Sequence, residues 1–428
     1  MSDLLVLVLR PLAALGFFFT LVPVMIWFER KGSAFIQDRV GPNRAYIPGI
    51  GLRLAGFVHN FSDVVKLLTK EDFIPSFAHK IFYVLAPMLV MGSALLTYAV
   101  IPFGDDFTVG ATSFSLRAVD TELGILWVFA FSSLAVYGVV LAGWASGSKY
   151  PLLGGIRGSA QMVSYEVSLG LAVIGAVIVF GTVDLLEMGR QQGKLLFGFL
   201  PMWGVVVQPL GCFLYLFAAF AETNRAPFDL VEGESEIVGF HTEYSGMKFA
   251  LFFMGEYVAM AVQAAVVVTI FFGGWQIPWL DTGALLANAH TVLLVGLGAA
   301  VVLASLAGIL LLRFHSWNKL RWQDERRREG AILAVVLGLV PALLAAVLFL
   351  VVWGTELTGV WPPTVAALAQ VVCFAIKVLF FCWVFIWVRW TLPRFRYDQV
   401  MFLGWKVMLP LALLNVVVTA AIRLLVIA

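Results

Sequence analysis

The sequence predicts an all-α polytopic membrane protein of about ten transmembrane helices, with no water-soluble domain. Three observations carry that prediction. Of 428 residues, 61% are hydrophobic and 13% charged, against about 25% charged in an ordinary soluble domain. Apolar runs long enough to cross a hydrocarbon core recur at 4–27, 81–102, 122–143, 160–180, 203–221, 248–272, 286–312, 332–353, 366–388 and 403–426. Lysine and arginine crowd alternate loops, nineteen on one side against Arg117, Arg190 and Lys194 on the other. The positive-inside rule puts the richer side in the cytoplasm and both termini outside.

The first run reads as a span and not as a cleavable signal. Asp3 sits at its start, Arg10 is its one basic residue, and no small-residue cleavage pattern follows. Loop 28–79 comes next and opens with ERKGSAFIQDRVGPNR, in which Gly41, Pro42 and Asn43 are turn residues. Residues 49–72 then read as an amphipathic helix. Phe57, Phe61, Val64, Val65 and Leu68 share one face, with Asp63, Lys66 and Lys70 off it. Such a helix lies in the membrane interface or beneath a partner protein. Loop 143–161, GWASGSKYPLLGGIRGSAQ, is rich in glycine and serine, which predicts a permissive backbone.

After the fifth run comes AETNRAPFDLVEGESE, residues 221–236, with five carboxylates and one arginine. Pro227, Phe228, Leu230 and Ile237 interleave with the acids, so the segment reads as packed. Residues 286–353 form a helical hairpin around the basic turn RWQDERRREG at 321–330. A topology anchor is the simplest reading of that turn. Contact with anionic lipid or a partner is the alternative. Two added spans leave everything downstream in the same orientation, so 1–428 reads as a single membrane domain.

Three glutamates enter the membrane from the cytoplasmic side. Glu222 ends the fifth run, Glu166 lies roughly 10 Å and Glu256 roughly 12 Å inside the fourth and sixth, at the helical rise per residue. Each costs several kcal/mol if ionised and unpaired in lipid. Burial favours the neutral carboxyl, so such a series can take up and release protons. In the simpler alternative each acid pairs with a nearby Arg, Lys or Ser and only locks helices. Lys377, in the ninth run, is a pairing partner or a snorkelling side chain.

No strand–GxGxxG–helix unit and no phosphate-binding loop is present. Cys212, Cys373 and Cys382 lie inside apolar runs at spacings that fit neither zinc nor an iron–sulfur cluster. Neither a redox centre nor a nucleotide site of the chain's own is expected, and no metal ligands. The net charge of +2 says nothing of a nucleic-acid partner, and none is expected.

The chain resembles the quinone-chamber membrane-subunit family of respiratory complex I, the proton-pumping NADH:quinone oxidoreductase. The matching wording is ERKGSAFIQDRVGPNR (29–44), SDVVKLLTKE (62–71), LAGWASGSKYPLLGGIRGSAQMVSYE (141–166) and AETNRAPFDLVEGESE (221–236). It continues in HTEYSGMKFALFFMGEY (241–257), FFGGW (271–275) and LPRFRYDQVMFLGWKVMLPL (392–411). These segments run in order through nearly the whole chain.

The resemblance implies an eight-helix core in a bacterial inner membrane, with both termini periplasmic and 286–353 as an inserted hairpin. It implies quinone, ubiquinone or menaquinone, as substrate. FMN and iron–sulfur clusters are held by partners, and no catalytic residue lies in this chain. The implied partners are peripheral quinone-site and iron–sulfur subunits, small membrane subunits, antiporter-like subunits and lipid. By motif match, Glu29, Arg30, Asp63, Lys66, Arg225 and Asp229 belong to the quinone chamber. Glu166, Glu222, Glu232, Glu234, Glu236 and Glu256 belong to the proton-coupling path.

Three departures stand out. His59 replaces the family's usual glutamine, the turn after Glu236 is a residue short, and the hairpin is extra, which places it on the periphery. The competing implication is the equivalent subunit of a membrane-bound hydrogenase or related ion-pumping complex, whose motifs match less completely. A stand-alone transporter would show inverted repeats, and none is visible.

Overall fold

The computed structural model describes residues 2–49, 51–109, 112–233, 238–321, 323, 326–355 and 358–427. Among them, nine helical segments are long and apolar enough to span a membrane. They are α1 (Ser2–Ile36), α3 (Lys80–Thr97, with the turn after it), α4 (Gly124–Ala145), α5 (Lys149–Phe180), α9 (Gly246–Phe271), α11 (Ala289–Arg321), α12–α13 (Arg326–Leu333 and Val340–Trp353), α14 (Trp361–Thr391) and α15–α16 (Tyr397–Phe402 and Leu409–Ile427). The protein is an all-α, multi-pass membrane protein. Short helices α2 (Val58–Thr69), α6 (Leu185–Gln192) and α10 (Thr282–Ala287) lie between spans.

The fifth expected span is broken. Residues 204–222 form α7 (Gly204–Val207) and α8 (Pro209–Glu222), with Gln208 between them at φ −138° and ψ 59°. Pro209 offers no N–H and drives the residue before it out of the helical region. The freed glutamine is put to use. Gln208 donates to Thr419 Oγ1 at 2.6 Å and accepts from Asn415 Nδ2 at 3.0 Å, tying α8 to α16. Polar links of this kind between membrane helices contribute about 1 kcal/mol each.

Loop 143–161 is another correction. Helix α5 begins at Lys149, so most of the segment is helical. Its glycines serve close packing and not freedom: a Cβ on Gly158 would sit 2.7 Å from Val231. That contact presses α5 against the acidic segment at Val231.

Helix α2 presents Phe61, Val64, Val65 and Leu68, each more than half exposed. Its other side is pinned to α1, where Asn60 Nδ2 donates to the Pro23 carbonyl at 2.7 Å. Helix α9 is the most enclosed of the nine spans. It shares one core with Phe18, Tyr215, Trp275, Phe374 and Phe385, all essentially inaccessible.

Helices α11 and α13 pair with each other, and α11 with α14. Gly308 and Gly338 let the hairpin's arms touch: a Cβ on Gly338 would lie 2.4 Å from Gly308 Cα. One π-helical turn (Ala334–Leu339) joins α12 to α13.

Lys377 neither pairs with an acid nor snorkels. From mid-α14 its Nζ donates to the carbonyls of Phe272, Gly274 and Gln276, at 2.9, 3.0 and 2.7 Å. The Trp203 ring lies 4.6 Å from it. The lysine thus closes the FFGGW turn that ends α9.

Candidate functional site

Four consecutive residues near the end of α1 each have a distinct task. The carboxylate of Glu29 is shared by three elements. Arg389 at the end of α14 pairs with Oε1, while Arg225 of the acidic segment reaches Oε2 at 3.4 Å. Tyr257 of α9 donates its hydroxyl to Oε2 at 2.8 Å. The Arg225 guanidinium lies over the Tyr257 ring, 4.2 Å from its centroid, and is buried. Burial works against its charge, but Tyr257, Glu29 and Glu256 outweigh that and hold the guanidinium charged. Arg30 turns the other way and pairs with Asp63 of α2. Lys31 is buried and donates to the Val40 carbonyl at 2.9 Å. Gly32 makes room for Trp390: any Cβ there would sit 1.8 Å from the indole ring.

The acidic segment is packed. Arg394 binds Asp229 at 2.7 Å, and the Phe395 amide donates to the Pro227 carbonyl at 3.0 Å. Phe228 sits among Tyr165, Phe217 and Phe395, with centroids 5.2–5.4 Å away. At its far end Glu232–Gly233 pairs antiparallel with Val238–Gly239. The side chain of Glu232 lies outside the described part, as do Glu234, Glu236 and the turn expected to be a residue short.

Beside this node lies a partly open cavity of about 60 Å³. Glu222 and Glu256 line it, together with Ser93, Thr97, Ser132, Asn224 and Gln263. Most of its wall is apolar, and beside the polar groups there is room for a few waters. Ser132 and Gln263 share the cavity wall with Glu222, whose Oε2 has no hydrogen-bond partner. Gln263 in turn accepts from the buried Tyr215 hydroxyl at 2.7 Å. Gln161 fixes the end of α8, donating to the Ala221 carbonyl at 2.7 Å and to Asn224 Oδ1 at 3.3 Å. Half-buried Glu166 follows Met162, another cavity residue, by one turn of α5.

Node and cavity meet on α9. Glu256 faces the cavity and Tyr257 faces Glu29. Consecutive helical residues point about 100° apart, so one helix serves both.

Not every expected residue joins these groups. Arg30 and Asp63 pair at the α1–α2 crossing, Asp229 is taken by Arg394, and Lys66 is exposed on α2. His59 holds a turn: its Nε2 accepts from the amides of Arg44 at 3.0 Å and Ala45 at 3.1 Å. Burial pushes its pKa down, against the opposing pull of Asp63, which suits an acceptor. With Arg30, Arg39, Asn43 and Arg44 it lines an open cavity of about 370 Å³.

Sequence reasoning missed Arg389, Arg394, Tyr257 and Gln161. One signal pointed to the arginines: residues 221–236 hold five acids and one base, and arginine flanks the ninth run. Among the described residues, no three His, Cys, Asp or Glu side chains gather as a metal site.

A family model described as NADH dehydrogenase matches residues 9–322 and 332–420. The H subunit of the NADH-quinone oxidoreductase of Bdellovibrio bacteriovorus is 40% identical over 420 residues, covering 93% of this chain and 91% of that protein. A first H subunit of the same oxidoreductase, from Solibacter usitatus, is 38% identical, covering 94% and 93%. Its namesake from Cytophaga hutchinsonii is 37% identical, covering 93% and 90%. With the match running almost end to end, the chain belongs to the H-subunit family of NADH-quinone oxidoreductase.

Proposed function

We propose that this chain is the membrane subunit of a proton-pumping NADH:quinone oxidoreductase, where it walls part of the quinone chamber and couples quinone reduction to proton translocation. The observation that carries the proposal is the abutment of the Glu29 node and the Glu222 cavity on consecutive residues of α9. Reduction of a quinone to the quinol takes two electrons and two protons. The electrons come through FMN and iron–sulfur clusters of partner subunits. This chain's own residues supply the electrostatics.

Glu29, Arg225 and Arg389 lie at the end of the bundle that faces the chamber. Arg225 stands three residues from Glu222, so a charge change at the chamber is felt at the cavity. Glu222, Glu166 and Glu256 then pass the effect inward as a change of protonation, with Glu232, Glu234 and Glu236 on the approach. Arg30, Asp63 and Lys66 belong to the chamber's outer wall, and Asp229 to its floor. The charged end is cytoplasmic, in a bacterial inner membrane, and both termini are periplasmic. The exposed apolar face of α2 lies against lipid or a peripheral quinone-site or iron–sulfur subunit. Small membrane subunits and antiporter-like subunits flank the bundle, and residues 286–353 are an addition to an eight-helix core.

The test is Glu222→Gln in the assembled complex. Assembly should persist while quinone-reductase turnover coupled to pumping falls at least about tenfold, a modest figure for losing a positioned proton carrier. Wild-type turnover and wild-type proton uptake in vesicles would remove Glu222 from the path.

A further inference from the structure

The turn Leu54–Gly56 precedes α2 and sets how that helix lies on α1. Leu54, Ala55 and Gly56 have φ of 49°, 53° and 90°, a region that leucine and alanine resist and glycine tolerates. Such a turn needs holding, and it is held from two sides. Trp27 Nε1 donates to the Ala55 carbonyl at 3.1 Å. The Ala55 amide donates to Glu329 Oε1 at 2.7 Å, across 274 positions of sequence.

Glu329 belongs to α12, which opens the hairpin's return arm, and it is only 3% exposed. In RRREG it is the one acid, and it is turned inward. Gly330 makes that approach possible: a Cβ there would come 2.5 Å from His315 Cα, so α12 lies flat on α11. Lys31 is close enough to feel the carboxylate's charge. From the turn, contacts lead outward. Gly56 lies against Pro42, where a Cβ would meet the carbonyl oxygen at 2.1 Å. His59 holds Arg44 and Ala45.

We propose that Glu329 is a positioning residue, through which the 286–353 hairpin latches the Leu54–Gly56 turn and so sets the shape of the 39–59 wall of the quinone chamber. It rests on the reading of loop 28–79 as chamber wall. Glu329 touches no quinone. It acts through the Ala55 amide, and the hairpin is thereby tied to the site and not merely appended to the bundle.

The experiment compares Glu329→Ala and Glu329→Gln in the whole complex, by amide exchange over residues 51–57 and by steady-state kinetics with a short-chain quinone. Glu329→Ala should speed exchange about tenfold, as expected for loss of a charge-assisted hydrogen bond. It should also raise the quinone KM about threefold with little change in kcat, the sign of lost binding and not of lost chemistry. Glu329→Gln keeps an accepting oxygen and should restore both. Unchanged exchange in Glu329→Ala overturns the latch. Faster exchange with an unchanged KM overturns its link to the chamber. An Ala55 amide that exchanges at the unprotected rate in the wild-type complex overturns the latch without any variant. The exchange arm reads the latch whether or not quinone binds here, and Glu222→Gln reads the chamber's function, so the two failures are distinguishable.

Discussion

Glu29 and Glu222 are both largely enclosed glutamates at helix ends, and their surroundings are opposite. Glu29 meets two arginines and a tyrosine hydroxyl from three different elements. Glu222 shares the wall of a cavity, with room for water, with a serine, a glutamine and Glu256. A carboxylate shared by two guanidiniums cannot lose its charge without stranding theirs. Its chemistry is structural, and it joins α1, α9, α14 and the acidic segment. An acid with no ion-pair partner can gain or lose a proton without stranding an opposite charge. The same side chain thus serves as a fastener in one place and suits the carrier role proposed for it in the other, and the neighbours make the difference.

Removing charge from each acid sharpens this contrast most. Glu29→Gln should destabilise the complex by about 3 kcal/mol, because Arg225 is left buried without its carboxylate. Glu222→Gln should cost under about 1 kcal/mol, since no partner charge is stranded. Thermal melting of the detergent-solubilised complex reads both, and equal shifts would erase the distinction. Tyr257→Phe comes next. It removes the hydroxyl donated to Glu29 yet keeps the ring under Arg225, so about 1.5 kcal/mol should go, with the Glu29 charge intact. A loss as large as that of Glu29→Gln would move the node's centre from the carboxylate to the tyrosine.

The smallest effect belongs to His59, outside both groups. Its folded pKa is depressed below the ordinary 6.5. The unfolded loop therefore binds a proton first as pH falls. Its contribution is complete above about 6.5 and fades as pH drops toward the folded value. Proteolysis within 39–49 should quicken between about pH 7.5 and about pH 5.5. Glu29 has no part in that titration, so His59→Gln should flatten the profile while melting stays near wild type.

Much of this was legible in the chain. Apolar runs show the spans because hydrocarbon thickness dictates length. The acids of 221–236 announce themselves because charge beside a span is rare. Pairing is harder to read. Arg389 lies 360 positions from Glu29, a separation that leaves no local pattern. Both arginines of the node also count toward membrane orientation, which hides their second use. Composition misled at 143–161, since glycine marks close packing and loose backbone alike. Pro209 did signal the break in the fifth span, but hydropathy averages over it. Glu329 was invisible among arginines, because only the fold shows which side of a basic turn looks inward.

The lysine that closes the FFGGW turn has a consequence of its own. A ring of three carbonyl oxygens is the kind of nest that recruits a sodium or potassium ion from the medium. Three acceptors require the three donors of an ammonium, and Lys377 carries them on a covalent stem. The far end of α9 therefore brings its own cation, and its shape should be indifferent to which salts the membrane faces.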